Sequence, residues 1–249
     1  MSALPPEKPG AAATALAWMV HAITACGAVL AFLALRAVLA QDWALALVWL
    51  LAALVVDGID GSLARIARVK ERAPRIDGET LDLIIDYLNY VFVPAMLIVQ
   101  AGLVPAPLAP LLAGLILVSS LYNFTRRDLK TADNYFRGFP ALWNVVAFYL
   151  FVGRPGPEAG AAAICILAAL TFAPVHFVHP FRVRDYGRWL PLLACLWAAA
   201  TAALLWPGWS EAARGAWLGL SLAAAAGLMA LGLLRSLRGA RPTGQSRQE

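Results

Sequence analysis

Eight apolar stretches separated by short polar segments make up most of the chain. A helix needs about 20 residues to cross a hydrocarbon core of about 30 Å, and most of the stretches reach that length. They are rich in Ala and Leu and lack the alternation of a membrane strand. The pattern therefore predicts an all-α polytopic membrane protein with about eight transmembrane helices. The stretches cover residues 14–39, 43–65, 80–103, 106–125, 139–153, 159–178, 188–206 and 213–234.

The fifth stretch, 139–153, is short for a membrane span. Proline is tolerated in the first turn of a helix, where its missing N–H would have no partner in any case. We therefore expect this helix to begin early and to include Pro140.

Composition excludes several other classes of protein. Hydrophobic residues make up 61% of the chain and charged residues 14%, whereas soluble domains average about 45–50% and about 25%. A mean hydropathy of +0.70 also excludes a disordered chain. Three cysteines, each inside an apolar stretch, do not indicate a disulfide scaffold or a zinc site.

The distribution of Lys and Arg predicts the orientation of the spans. One alternate set of loops, together with both chain ends, holds seventeen of the twenty basic residues. The other set holds only Arg36, Arg154 and Arg214. Because cytoplasmic loops carry the excess of positive charge, we expect both termini to be cytoplasmic. The basic residues lie between apolar runs, so the net charge of +5 does not indicate a nucleic-acid partner.

Acidic residues concentrate in one segment. Seven of the fifteen Asp and Glu residues fall within 57–86. Asp57 and Asp60 are three residues apart at the end of the second span, and Asp82 and Asp86 are four apart at the start of the third. Each spacing puts a pair on one helical face. The two pairs should therefore meet near the cytoplasmic edge of adjacent antiparallel helices.

Such a cluster favours divalent cations. Four close carboxylates cannot all stay ionised without positive charge beside them. Mg²⁺ and Mn²⁺ prefer oxygen ligands, and two such ions form a clamp suited to phosphoryl transfer. Small residues beside the acids would admit a bulky ligand, and Arg65 offers a fork that matches a phosphate. A single acidic pair could instead be a structural ion pair or a proton relay.

The same segment matches a known signature. Residues 57–65 read Asp-Gly-Ile-Asp-Gly-Ser-Leu-Ala-Arg, and 78–86 read Gly-Glu-Thr-Leu-Asp-Leu-Ile-Ile-Asp. This resembles the D-x-x-D-G-x-x-A-R … G-x-x-x-D-x-x-x-D motif of the CDP-alcohol phosphotransferases. The spacer 66–77 has twelve residues, where the family usually has eight. The longer spacer, the segment 80–95 and the segment 133–144 resemble the bacterial phosphatidylcholine synthase branch.

The resemblance implies the organisation and the reaction. It implies one domain over 1–249, with an N-terminal segment 1–13, a catalytic motif at 57–86 and a polar basic tail at 235–249. The phosphatidyl group of CDP-diacylglycerol would pass to choline with release of CMP. The enzyme would lie in the bacterial inner membrane as a multi-pass protein, with its active site facing the cytoplasm. Members of the family are often dimers, so a homodimer is expected.

The resemblance also implies residue roles. Asp57, Asp60 and Asp82 would bind Mn²⁺ or Mg²⁺, with two ions expected. Asp86 would neighbour the metal and act as the general base for the choline hydroxyl. The CDP moiety would be lined by Gly61, Ala64, Arg65 and Gly78.

Two further sites are assigned by chemistry and position. An aromatic cage suits the quaternary ammonium of choline, and an acidic side chain could add to it. The candidates are Tyr87, Tyr90, Tyr122, Tyr135, Phe136, Trp143 and Glu79. The lipid phosphate could be bound by Arg126, Arg127 and Arg137. Each also has a plainer interpretation, as an interfacial aromatic, a loop ion pair or cytoplasmic positive charge.

Other functions stay open from the sequence. A sister enzyme could use serine, glycerol phosphate or inositol phosphate, acceptors that would need a more basic pocket. CDP-choline could instead be the donor and diacylglycerol the acceptor. A cation-coupled transporter would need carboxylates near mid-membrane, whereas here they lie at one edge.

Overall fold

The structure is a computed structural model, and it describes residues 10–239. Most of the predicted N-terminal segment 1–13 and of the basic tail 235–249 lies outside these residues. Within them, ten α-helices follow one another, and the two longest connections are 126–142 and 173–188. They are α1 Ala11–Leu39, α2 Trp43–Ile66, α3 Val69–Arg72, α4 Gly78–Asp86, α5 Val93–Gln100, α6 Ala109–Thr125, α7 Trp143–Gly153, α8 Pro157–Phe172, α9 Trp189–Ala203 and α10 Glu211–Arg238.

Four smaller elements complete the described residues. A π-helical segment, Tyr87–Phe92, joins α4 to α5, and a 3₁₀ turn, Ala106–Leu108, precedes α6. Strands β1 (Phe136–Arg137) and β2 (His176–Phe177) pair antiparallel, with Phe136 opposite Phe177. This pairing is a small departure from the predicted purely helical chain.

The all-α polytopic membrane class is confirmed. Five helical segments among the described residues are long and apolar enough to cross a membrane. They are α1, α2, the continuous segment Gly78–Gln100, the segment Ala106–Thr125 and α10, and they match the first four predicted spans and the last. The other three predicted spans correspond to α7, α8 and α9, which have 11, 16 and 15 residues. These helices are shorter than the roughly 20 residues of a straight span.

Two predicted span limits are wrong. α7 begins at Trp143, so Pro140 lies outside the helix, because Ala141 has a positive φ of 57° that interrupts helical geometry. α8 ends at Phe172 rather than 178. Ala173 is extended, as a residue before a proline prefers, and Pro174 follows it.

The described chain packs as two compact units. The first comprises residues 10–101 and Trp143–Ala147, and the second comprises Gly102–Leu142 and residues 148–239. In the first unit, α1 packs along α2, α3, α4 and α5. In the second, α6 packs on α8, and α10 packs on α9 and β2. The expected single domain over the whole chain stays a prediction.

The long spacer between the two halves of the motif is folded. It contains the one-turn helix α3, which begins after Arg68 in the left-handed region (φ 50°). Ala67, Val69 and Ala73 are buried against Ala17 and Val20 of α1. The spacer therefore packs against α1.

Candidate metal centre

Helix capping sets where the acidic face of α4 begins. The Asp77 carboxylate accepts hydrogen bonds from the N–H groups of Glu79 (3.0 Å) and Thr80 (3.3 Å) and from the Thr80 hydroxyl (2.8 Å). The bonds from Thr80 hold the pKa of Asp77 below its usual value. Because an N-cap of this kind fixes the first turn, Asp82 and Asp86 lie at defined positions one and two turns further on.

Three carboxylates meet between α2 and α4. One oxygen each from Asp57, Asp82 and Asp86 lies within 4.8 Å of the others, and all three residues are half-buried. Asp60 is outside this group but lines the same cavity. It is 6% exposed and accepts a 2.7 Å hydrogen bond from the Thr24 hydroxyl on α1. The predicted convergence of the two acidic pairs is thus present, with three members closest together.

Polar residues surround the cluster. Thr24 and Asn89 were not predicted as site residues, whereas Tyr90 was predicted only as a choline candidate. The Tyr90 hydroxyl donates to Asp57 Oδ2 at 2.5 Å. Asn89 Nδ2 donates to the carbonyl oxygens of Gly27 (3.0 Å) and Ile85 (3.1 Å). Thr24, Gly27, Asn89 and Tyr90 all line the cavity with the four carboxylates.

Close packing of α1 on α4 depends on a glycine. A Cβ added to Gly27 would lie far inside van der Waals contact with Ile85 Cγ2. The missing side chain lets the α1 backbone reach Asn89 and brings Thr24 to the cavity. Nothing in the spacing of the first apolar stretch identified this glycine.

The donor set fits a divalent cation. Mg²⁺ and Ca²⁺ bind oxygen ligands at about 2.0–2.6 Å, so two ligands on opposite sides of one ion are about 4–5 Å apart. The carboxylate oxygens of Asp57, Asp82 and Asp86 lie within 4.8 Å of one another, close enough to bind one ion together. Their mutual repulsion is the electrostatic reason for a cation there.

The residues expected to line the CDP site have different surroundings. Gly61 is half-buried on α2, and Ala64 packs against the apolar cluster on α1 and α3. Arg65 is exposed and donates to Ser62 Oγ at 2.9 Å. A Cβ on Gly78 would lie 3.1 Å from His21 Cε1, so this glycine serves the approach of α1 and α4.

The choline candidates of the first unit differ in accessibility. Tyr87 is half-buried in the π-helical segment, whereas Trp143 is fully buried. Tyr90 is buried and bonded to Asp57. Glu79 forms a 2.5 Å ion pair with Lys70, and the two side chains are 73% and 83% exposed. This is the loop ion pair of the plainer interpretation.

The remaining candidates belong to the second unit. Tyr135 is fully buried and its hydroxyl donates to Asp185 at 2.9 Å. Burial and this bond raise the pKa of Tyr135. Tyr122 is exposed, with its ring 4.8 Å from that of Phe172. Phe136 stacks on His179 at 5.5 Å.

The three arginines suggested for the lipid phosphate all lie in the second unit. Arg126 binds both carboxylate oxygens of Asp128 at 2.8 Å, and Arg137 approaches Asp128 at 3.4 Å. The hydrogen bond from Arg126 lowers the pKa of Asp128 to about 2. Arg127 is exposed. A lipid phosphate would have to compete with Asp128 for Arg126.

The chain belongs to the CDP-alcohol phosphatidyltransferase family, whose model matches residues 17–175. That family is metal-dependent in general. Among its relatives, a phosphatidylcholine synthase of Pseudomonas aeruginosa is 45% identical over 224 residues, which cover 90% of this chain and 93% of that protein. A phosphatidylcholine synthase of Bradyrhizobium diazoefficiens is 45% identical over 77% of this chain and 72% of its own length. One of Mesorhizobium japonicum is 43% identical over 76% and 72%. The family predicted from the motif is thereby confirmed.

Proposed function

We propose that this protein transfers the phosphatidyl group of CDP-diacylglycerol to choline, releasing CMP, at the carboxylate cluster of α2 and α4. The observation that carries the proposal is the meeting of Asp57, Asp82 and Asp86 within 4.8 Å, in the order and spacing of the family motif. The identity of 40–45% to several phosphatidylcholine synthases supports choline as the acceptor.

The reaction is a displacement at phosphorus. The choline hydroxyl oxygen attacks the phosphorus that carries diacylglycerol, and the bond from that phosphorus to the CMP oxygen breaks. The hydroxyl proton goes to a carboxylate, and CMP leaves with the bond electrons. A carboxylate within hydrogen-bond reach of the hydroxyl assists this attack because choline alone is a poor nucleophile at neutral pH.

Asp86 is the base in this account. Within the described cavity, Asp57 accepts the Tyr90 hydroxyl and Asp60 accepts the Thr24 hydroxyl. Each of these two carboxyl groups is thereby oriented by a hydroxyl donor. Asp86 lies a full turn further along α4 than Asp82, and the family resemblance assigns the proton transfer to this position.

The cation site would be held by Asp57, Asp60, Asp82 and Asp86, with Mn²⁺ or Mg²⁺ as the ion and two ions in the full site. When bound, divalent cations offset the charge on the pyrophosphate and on the leaving CMP. The protein's own contribution is to hold the carboxylates together. Thr24 and Tyr90 orient two of them, and the Gly27 contact keeps α1 against α4.

The substrates determine where the site must lie. One substrate is a membrane lipid and the other is water-soluble, so a site at the membrane edge serves both. Asp57 and Asp60 lie near the C-terminal end of α2, and Asp82 lies near the N-terminal end of α4. The excess of Lys and Arg on this side supports an active site at the cytoplasmic face of the bacterial inner membrane.

The acceptor is tested with purified protein in detergent, CDP-diacylglycerol and Mn²⁺. Choline, serine, glycerol 3-phosphate and inositol phosphate are added singly, and CMP release is measured. We expect release with choline alone. Release with another acceptor would keep the carboxylate chemistry and overturn the choline assignment. A third outcome is that no acceptor releases CMP from CDP-diacylglycerol, while CDP-choline and diacylglycerol together do form CMP. CDP-choline would then be the donor and diacylglycerol the acceptor.

A further inference from the structure

Among the described residues that line the cavity, Asn89 has a buried side-chain oxygen without a hydrogen-bond partner. Asn89 is 3% exposed and its Oδ1 is buried without a hydrogen-bond partner. A buried amide oxygen with no partner is unfavourable, because it has given up its hydrogen bonds to water. Such an atom beside a cluster of carboxylates calls for a ligand that can satisfy it.

The orientation of the amide is fixed by its nitrogen. Asn89 Nδ2 donates to two carbonyl oxygens, those of Gly27 on α1 and Ile85 on α4. A flipped amide would place Oδ1 against both of these acceptors, which is unfavourable. The oxygen therefore stays on the edge of the amide group away from these two carbonyls.

The cavity offers this oxygen few protein donors. Of the hydroxyls that line it, Thr24 donates to Asp60 and Tyr90 donates to Asp57. The other lining side chains are apolar or are the carboxylates themselves, which accept when ionised. The choline hydroxyl has a single proton, which the proposed reaction gives to Asp86. The natural partner of Oδ1 is thus a cation or a water molecule bound to one.

Asn89 also has the right position along its helix. It lies three residues after Asp86 and seven after Asp82, and all three side chains line the same cavity. The π-helical segment Tyr87–Phe92 adds a residue to the turn, and both Asn89 and Tyr90 reach buried neighbours. Neutral amide oxygens are established ligands for hard cations.

We infer that Asn89 Oδ1 is a further oxygen donor of the divalent-cation site, reaching the ion directly or through one bound water. The inference rests on the proposed function, because that function supplies the cation. It adds a neutral ligand on the side of the cavity away from the α4 N-terminus, beyond the four acidic positions of the motif.

The test measures Mn²⁺ binding to metal-free protein in detergent, without substrates, from the electron paramagnetic resonance signal of free Mn²⁺. Asn89→Leu keeps the volume and removes the oxygen, and we expect it to weaken binding about tenfold or more. Asn89→Asp keeps an oxygen ligand but loses the Nδ2 donor, and we expect wild-type or tighter binding. Asn123→Leu is the matched control, since Asn123 on α6 is also buried with an unpartnered Oδ1.

Each result separates the possibilities. Equal weakening by Asn89→Leu and Asn89→Asp would show that Asn89 acts only through its nitrogen, and would overturn the inference. So would wild-type binding by Asn89→Leu, or equal weakening by Asn123→Leu. If the wild-type protein itself bound no Mn²⁺, the metal site of the proposed function would be wrong, which is a distinct result.

Discussion

At the scale of single residues, local spacing was enough to find the acidic groups but not their partners. The i, i+3 and i, i+4 spacings correctly brought Asp57, Asp82 and Asp86 together. Thr24 bonds to a residue 36 positions away, and Asn89 reaches one 62 positions away. Such contacts depend on how α1 packs, which the pattern of a single helix does not encode.

The aromatic candidates show the same limit. Composition and position indicated a cage for choline, but a sequence does not show which hydroxyls are already engaged. Tyr90 is bonded to Asp57 and Tyr135 to Asp185, while Trp143 is fully buried. Tyr87, in the π-helical segment after α4, is the half-buried choline candidate of the first unit.

The hydrogen bond from Thr24 to Asp60 gives the first prediction. Thr24→Val keeps the shape of the side chain and removes the hydroxyl, leaving a buried carboxylate without its donor. We expect a loss of stability of about 1–3 kcal/mol, together with reduced Mn²⁺ affinity. Thermal unfolding in detergent and Mn²⁺ titration measure both effects. Thr24→Ser should retain wild-type behaviour, and a Val variant as stable as wild type would argue against a structural role for this bond.

At the scale of elements, the apolar stretches gave the long helices to within a few residues. The errors occur where loop geometry ends a helix. Ala141 with a positive φ delays the start of α7, and Pro174 ends α8 before the predicted limit. The π-helical segment was also not anticipated. It precedes Pro94, which has no N–H to offer the carbonyl of Tyr90.

The contact between α1 and α4 gives the second prediction. Gly27→Ala places a methyl group against Ile85 Cγ2, and overpacking of this kind costs about 1–3 kcal/mol. We expect lower thermal stability and lower activity, because α4 carries Asp82 and Asp86. Adding Ile85→Leu removes the branch that clashes and should restore part of both.

The matched control for this variant is Gly114→Ala on α6. A Cβ there meets nothing within 4 Å, so stability should be unchanged or slightly higher because alanine favours helix. Equal thermal stability of Gly27→Ala and Gly114→Ala would contradict the conclusion that Gly27 is needed for close packing of α1 on α4.

At the scale of the whole molecule, charge asymmetry predicts which side of the membrane each loop faces. Glu71 lies in the folded spacer, and Glu158 lies at the start of α8, after the loop that follows α7. The seventeen-to-three distribution of basic residues predicts that Glu71 and Glu158 face opposite sides of the membrane. The count of eight spans stays a prediction, because α7, α8 and α9 are short.

Cysteine labelling in whole cells tests this topology. Glu71→Cys and Glu158→Cys are made separately after Cys26, Cys165 and Cys195 have been replaced by Ser. A membrane-impermeant maleimide should label the variant at 158 in cells whose inner membrane is intact. The variant at 71 should react only after lysis. The reverse pattern would place the carboxylate cluster on the outer face.

Product formation by Asp86→Asn tests most directly whether Asp86 is the general base for transfer of the phosphatidyl group to choline. Purified protein in liposomes receives CDP-diacylglycerol, Mn²⁺ and deuterated choline, and mass spectrometry quantifies labelled phosphatidylcholine and CMP. Wild type should form the two products in equal amounts. Asp86→Asn should remain folded by thermal unfolding yet lose turnover by about 10²–10⁴-fold, the usual contribution of a general base.

The matched control is Asp42→Asn, which changes an exposed carboxylate at the other end of α2, where Asn also serves as an N-cap. This variant should form phosphatidylcholine at the wild-type rate. Near-wild-type turnover by Asp86→Asn would contradict its role as the general base. Release of CMP by the wild-type protein without phosphatidylcholine would contradict transfer to choline.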